Sequence, residues 1–156
     1  MSLVWRLSPP AYADALNGEG NRAFGARWNS PGRGVVYTCA NLSLCVLETY
    51  VHFSPIQRQS IPDFEAVQIS VPDDASAAEV HSVAFEHLLA DSNPDQACRD
   101  FGDVWLTEGR HLLLTAPSAL VAEELNVMLN PAHPRMRDVA IVKRRSFQFD
   151  RRLVSA

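Results

Sequence analysis

The run from Ala23 to His52, AFGARWNSPGRGVVYTCANLSLCVLETYVH, constrains this chain more than any other stretch. Gly25, Pro31, Gly32 and Gly34 hold its first part in loop conformations. Val35 to Thr38 is β-branched and reads as a short strand. Asn41 or Ser43 can cap a helix that runs to about Phe53. Three chemically pointed residues fall on this loop, strand and helix: Arg27 beside Trp28, Tyr37 at the end of an apolar run, and Glu48 inside an otherwise apolar helix. A guanidinium fork grips phosphate, an aromatic ring stacks, and a carboxylate faces a ribose and any positive charge on it. Together they suit a ligand that carries both phosphate and ribose.

The remaining pattern predicts a strand over Val4 to Leu7 and a helix opened by Pro9-Pro10 that ends near Asn17-Gly18. In the helix after Asn41, Leu44, Leu47 and Val51 form the expected inward stripe, with Cys45, Glu48 and His52 on another face. Phe64 to Val71 alternates as a strand, and Asp73 to Ala78 reads as a polar linker. A short helix is expected over Phe85 to Ala90 and a longer one from Pro94 to Glu108, stopped by Gly109. Leu112 to Thr115 is a buried-type strand; Glu124 to Met128, Val139 to Val142 and Phe147 to Phe149 are three further short strands. No regular βαβ rhythm appears, so the fold class is α+β, in a single domain over residues 1–156.

Several function classes are disfavoured. A net charge of -4 and a pI near 5.7 lack the basic footprint of sequence-independent nucleic-acid binding. Lys143-Arg144-Arg145 is the local exception and reads as a solvated strand end or loop. No apolar stretch approaches the ~20 residues that span a bilayer, and MSLVWRL does not begin as a secretory leader, so a cytoplasmic protein is expected. Cys39, Cys45 and Cys98 are odd in number and lack a C-x-x-C pair, which suits buried, reduced thiols. The five histidines show no metal-ligand spacing, so no metal is expected.

Each site residue has a plainer reading. Arg27 could anchor its own loop, and Arg33 is its rival for a phosphate contact. Tyr37 could be a core or rim aromatic; Trp28 and Trp105 are more readily core than ligand wall. Glu48 could be solvated, or could pair with His52 one turn on. Ser118 follows Pro117 and could be a turn or capping serine, with no G-x-S-x-G elbow to make it a nucleophile. Asn130 and His133 are expected to make turns, with Asn126 left open.

These motifs resemble, in order, the RES family, the toxin half of the RES–Xre toxin–antitoxin systems. The resemblance rests on Gly25 and the Arg27-Trp28-Asn29 element, Val36-Tyr37, Glu48 with His52, Trp105, Pro117-Ser118, the NVMLNPAHP run from Asn126, and the closing FQFDRRL. The family's arginine, glutamate and serine map onto Arg27, Glu48 and Ser118.

The resemblance implies a compact fold like the diphtheria-toxin-type ADP-ribosyltransferases, with two small mixed or antiparallel sheets, peripheral helices and a cleft for NAD. It implies Arg27, Tyr37 and Glu48 as catalytic residues, with Ser118, Trp28 and Asn126 binding substrate. The implied reaction cleaves the nicotinamide N-glycosidic bond of NAD by hydrolysis or phosphorolysis. The alternatives are transfer of ADP-ribose to a cellular protein, or a non-catalytic module that binds nucleotides or an antitoxin. The implied partner is an Xre-type helix-turn-helix antitoxin, which would make the DNA contacts.

Overall fold

A computed structural model describes residues 1–154. Seven strands form one sheet: β1 (Ser2–Ser8), β2 (Val36–Cys39), β3 (Phe64–Val71), β4 (Ala77–Glu79), β5 (Leu113–Pro117), β6 (Leu125–Leu129) and β7 (Ala140–Phe147). Their order is β4-β5-β6-β2-β1-β3-β7, antiparallel throughout except for the parallel β4–β5 pair. Four helices accompany them: α1 (Glu19–Arg22), α2 (Leu42–Tyr50), α3 (Ser82–Leu89) and α4 (Pro94–Glu108).

The α+β class holds, but the two expected sheets are one. Their halves, β4-β5-β6-β2 and β1-β3-β7, meet at a single registered pair, Trp5 with Cys39. That pairing is enough to continue the hydrogen-bonded order across a narrow seam.

One sheet face packs Val4, Val36, Val67, Ile69, Val127 and Leu129 into a core cluster. The other carries Trp28, Val35, Phe85, Cys98, Trp105, Leu114 and Met128, joining α3, α4 and the Arg27 loop to the strands. A third, small cluster of Cys39, Leu44 and Cys45 seats α2 against Trp5 and Leu7 of β1.

Local chemistry explains where expectation and structure part. The helix expected after Pro9-Pro10 is only a 3-10 turn, Pro10–Tyr12. Arg6 Nη1 takes the Ala15 carbonyl at 2.6 Å, and Ala13 is fully buried, so this segment follows the core rather than a helical path. The polar linker contains β4, which pairs with β5. The strand expected over Val139 to Val142 runs on through the basic triplet as β7 and ends at Phe147, so the strand expected over Phe147 to Phe149 does not form. β7 is a sheet edge, where charged side chains stay in water and deter further pairing, and Arg144 pairs there with Glu65 at 3.0 Å. In α2, Leu44 and Cys45 face inward, whereas Leu47 and Val51 are exposed.

Candidate active site

Side-chain alternation builds the floor of the site. Tyr37 and Cys39 lie on one face of β2, and their register partners Met128 and Asn126 lie beside them on β6. All four, with Leu7 of β1, line a cavity of about 810 Å³ over the β1–β2 seam. That volume is in the range of sites that enclose a drug-sized ligand. One wall is α2, through Glu48 and Thr49, with His52 in the turn that follows it; another is the Gly25–Trp28 loop with Asp95 and Arg99 of α4.

α2 starts where Asn41 Oδ1 accepts the Leu44 N–H at 2.8 Å, which sets the rotation of the helix and brings Glu48 over the floor. Glu48 Oε1 accepts two hydrogen bonds, from Ser118 Oγ at 2.8 Å and from Asn126 Nδ2 at 2.7 Å. Among the described residues no donor engages Oε2. The i,i+4 pairing of Glu48 with His52 is absent; Glu48 is held across the sheet instead, and His52 stands exposed at the cavity wall.

Ser118 does not line the cavity. It is 2% exposed, and its hydroxyl also accepts the Leu120 and Val121 N–H groups at 3.0 and 3.2 Å. The capping reading holds, and the same hydroxyl fixes Glu48 from behind instead of facing the cavity. Asn126 does line the cavity, and its Oδ1 accepts a bond from the Cys39 thiol at 3.3 Å.

The Arg27 loop is drawn tight by the same economy. Gly25 has φ 71°, a left-handed value, and a Cβ there would lie 2.6 Å from the Asn29 carbonyl oxygen. Fully buried Asn29 donates to the Arg33 carbonyl at 2.7 Å and accepts from the Tyr37 hydroxyl at 2.7 Å. That hydroxyl in turn accepts the Trp28 backbone N–H at 2.9 Å. From the other side Arg99 Nε donates to the Ala26 carbonyl at 3.1 Å, and Asp103 accepts the Ser30 N–H at 3.1 Å. Gly102 lets α4 lie directly against the loop, since a Cβ there would sit 1.9 Å from the Trp28 carbonyl oxygen.

These bonds assign the aromatic residues different tasks. The Tyr37 hydroxyl is occupied within the protein, leaving its ring at the cavity floor. Burial raises its pKa, against a smaller opposing pull from the Arg27 and Arg99 charges. Trp28 is 2% exposed and stacks its ring among Phe85 and Phe101, so its side chain is core. Trp105 is core as well.

Arg27 lines the cavity and pairs with no carboxylate among the described residues. Its rival is already committed: Arg33 sits 3.6 Å from Asp103 and donates to Thr107 Oγ1 at 2.7 Å, outside the cavity. Two of the thiols are held in the protonated form. The neighbouring Cys45 side chain, burial and the Glu48 charge push Cys39 up, while burial pushes Cys98 up against the pull of Arg27.

A family model described as the RES domain matches residues 3–150. The chain belongs to the RES family. Every residue that lines the cavity lies within the matched RES domain. A RES relative from Sphingobium sp. (strain YBL2), named "Prs ADP-ribosylating toxin", is 35% identical over 159 residues, covering 96% of this chain and 95% of its own. A protein of Photorhabdus laumondii named "Toxin Res" is 32% identical, covering 99% and 98%. Among solved structures, the M. tuberculosis MbcT–MbcA toxin–antitoxin complex contains a chain of the same fold, with TM-score 0.72 at 18% identity over 93% of this chain and 83% of that one.

The structure thus brings Arg27, Tyr37, Glu48 and Asn126 to one cavity, sets Ser118 behind Glu48 and buries the Trp28 ring. Sequence reading missed Asp95 and Arg99. Their i,i+4 spacing placed both on one face of the Pro94 helix, but nothing local said that this face meets the Arg27 loop.

Proposed function

We propose that this chain is the toxin of a toxin–antitoxin system and that it cleaves the nicotinamide N-glycosidic bond of NAD. Arg27 grips a phosphate, the Tyr37 ring orients the nicotinamide ribose, and Glu48 faces the anomeric carbon. As the bond breaks, its electron pair leaves with the pyridinium nitrogen, which becomes neutral nicotinamide. No general acid is required. The cationic sugar left behind is stabilised by the Glu48 carboxylate, and water or phosphate completes the reaction at the anomeric carbon. With water the products are ADP-ribose, nicotinamide and a proton released to solvent.

What carries this reading is the Glu48 carboxylate. One oxygen is fixed by Ser118 and Asn126, and the other is unclaimed within a cavity whose far wall holds an unneutralised Arg27. A carboxylate held this way is arranged before the substrate arrives, so little reorganisation is needed when positive charge develops. Ser118 and Asn126 act through Glu48 rather than on the ligand's leaving group.

A second reading shares the first step and differs in the acceptor, which would be a side chain of a cellular protein. The printed name of the Sphingobium relative favours it. The partner belongs to the proposal too: an antitoxin that covers the cleft, of the Xre helix-turn-helix type that the sequence motifs imply.

The test is incubation of purified chain with NAD labelled in the adenylate half, with and without cell lysate. Labelled free ADP-ribose, or its 1-phosphate when phosphate is supplied, formed by the wild type without lysate supports hydrolysis or phosphorolysis; label transferred to a discrete protein band supports the second reading. Glu48→Gln should lose roughly a hundredfold or more of either activity, the scale on which one preorganised electrostatic group acts. Turnover unchanged in Glu48→Gln would remove the reading.

A further inference from the structure

We propose that Arg99 is a second phosphate-binding arginine, which together with Arg27 forms a clamp for the two phosphates of a pyrophosphate-bridged ligand. The inference rests on the NAD reading above for the identity of the ligand, but its evidence is independent of Glu48.

Arg99 is half-buried on α4 and lines the cavity. Its Nε is committed to the Ala26 carbonyl at 3.1 Å, one residue before Arg27. This bond fixes the plane of the guanidinium, while among the described residues neither Nη atom finds a hydrogen-bond acceptor or a carboxylate. The acidic side chains of α4 that could neutralise it are spent or apart. Asp103 serves the Ser30 N–H and Arg33, and Asp100 accepts from Gln96 at 2.7 Å. Asp95 lines the same cavity without forming an ion pair with Arg99.

Arg27 is exposed rather than half-buried, and like Arg99 it forms no ion pair among the described residues. Both line the one cavity, and Arg99 bonds the carbonyl of the residue that precedes Arg27, which places the two on the same wall. Two guanidiniums on one wall without ion-paired carboxylates repel each other, and the half-buried Arg99 also loses hydration in the empty protein. A ligand with two adjacent anionic groups relieves both costs, and each planar fork can meet one phosphate with paired hydrogen bonds. A mononucleotide offers one phosphate to two guanidiniums, whereas a pyrophosphate offers each its own. The arrangement therefore favours dinucleotides joined by pyrophosphate over nicotinamide mononucleotide, and it does so through the loop–α4 junction rather than through the catalytic carboxylate.

The experiment uses the full chain carrying Glu48→Gln, so that bound NAD is not consumed, and compares it with the same chain carrying Arg99→Gln in addition. Glutamine retains a donor for the Ala26 carbonyl but removes the charge. Binding is measured by calorimetry for NAD, for inorganic pyrophosphate and for nicotinamide riboside, which has no phosphate. Loss of a charge-assisted contact should weaken NAD and pyrophosphate by about ten- to a hundredfold and leave nicotinamide riboside unchanged. Arg99→Lys, which keeps the charge but not the fork, should recover only part of the loss.

Equal weakening of all three ligands would mean that Arg99 only supports the loop, and the clamp would be wrong. Unchanged affinity for NAD in Arg99→Gln would overturn it as well. If NAD failed to bind even the parent chain while pyrophosphate bound in an Arg99-dependent way, the clamp would stand and the NAD reading would fall.

Discussion

Ser118 Oγ donates to Glu48 Oε1 at 2.8 Å, linking a strand end to a helix 70 positions away in sequence. The same hydroxyl caps the turn that follows it, so the orientation of the carboxylate and the course of the chain after β5 are fixed by one atom. Ser118→Ala should therefore lower NAD turnover mainly through kcat, by roughly tenfold, because Asn126 still holds Oε1. Stability should fall by about 1–2 kcal/mol as two backbone N–H groups lose their acceptor. A kcat left at the wild-type value would mean that Glu48 needs no support from this side.

Tyr37→Phe keeps the ring at the cavity floor and deletes the hydroxyl that joins Asn29 to the Trp28 N–H. Two buried polar groups are left without partners, for a cost of about 1–3 kcal/mol. Chemical denaturation should show that loss, and KM for NAD should rise as the Arg27 loop loosens. A variant as stable as the wild type would show that the hydroxyl does not hold the loop.

Gly102→Ala probes the same loop from behind. Its methyl would overlap the Trp28 carbonyl, 1.9 Å away, so α4 and the loop must separate. Overpacking of this kind costs about 1–3 kcal/mol or more. NAD turnover should fall even though no cavity side chain has changed. Full activity with normal stability would contradict the close approach of helix and loop.

The buried thiols give stability a pH dependence at the alkaline end. Cys39 is held above its ordinary value of 9.0 by the neighbouring Cys45 side chain, by burial and by the Glu48 charge. The folded state therefore keeps its proton where the unfolded state has lost it. This contribution is fully present below that ordinary value and is lost as pH rises above it. Denaturation midpoints should fall progressively as pH rises above about 9, and Cys39→Ala should flatten the fall. A slope unaffected by the substitution would assign the effect to other groups, such as Tyr37.

Much of this architecture was legible because local signals agreed with global needs. Phe64–Val71 is a strand with the bounds its alternation predicts, and Pro94–Glu108 is a helix closed by Gly109 at φ 59°. The Arg27, Tyr37 and Glu48 cluster was foreshadowed by closeness in sequence, since one strand and one helix carry two of the three. What stayed hidden depends on distant partners. Arg6 diverts the segment after Pro10 by capturing the Ala15 carbonyl, and no window around Pro10 contains that information. The inward face of α2 was misread because Leu47 and Val51 look like core, whereas helix rotation is set by Asn41 and by Glu48's bonds across the sheet. Arg99 was overlooked for a similar reason: its task depends on Ala26, 73 positions earlier.

The central claim is that this chain consumes NAD through Glu48, and intracellular NAD measured within minutes of induction tests it most directly, wild type beside Glu48→Gln at matched protein level. The account predicts a steep fall in NAD with the wild type, ahead of growth arrest, and none with Glu48→Gln. Growth arrest with NAD intact would contradict NAD depletion, and an equal fall in both strains would remove Glu48 from the chemistry.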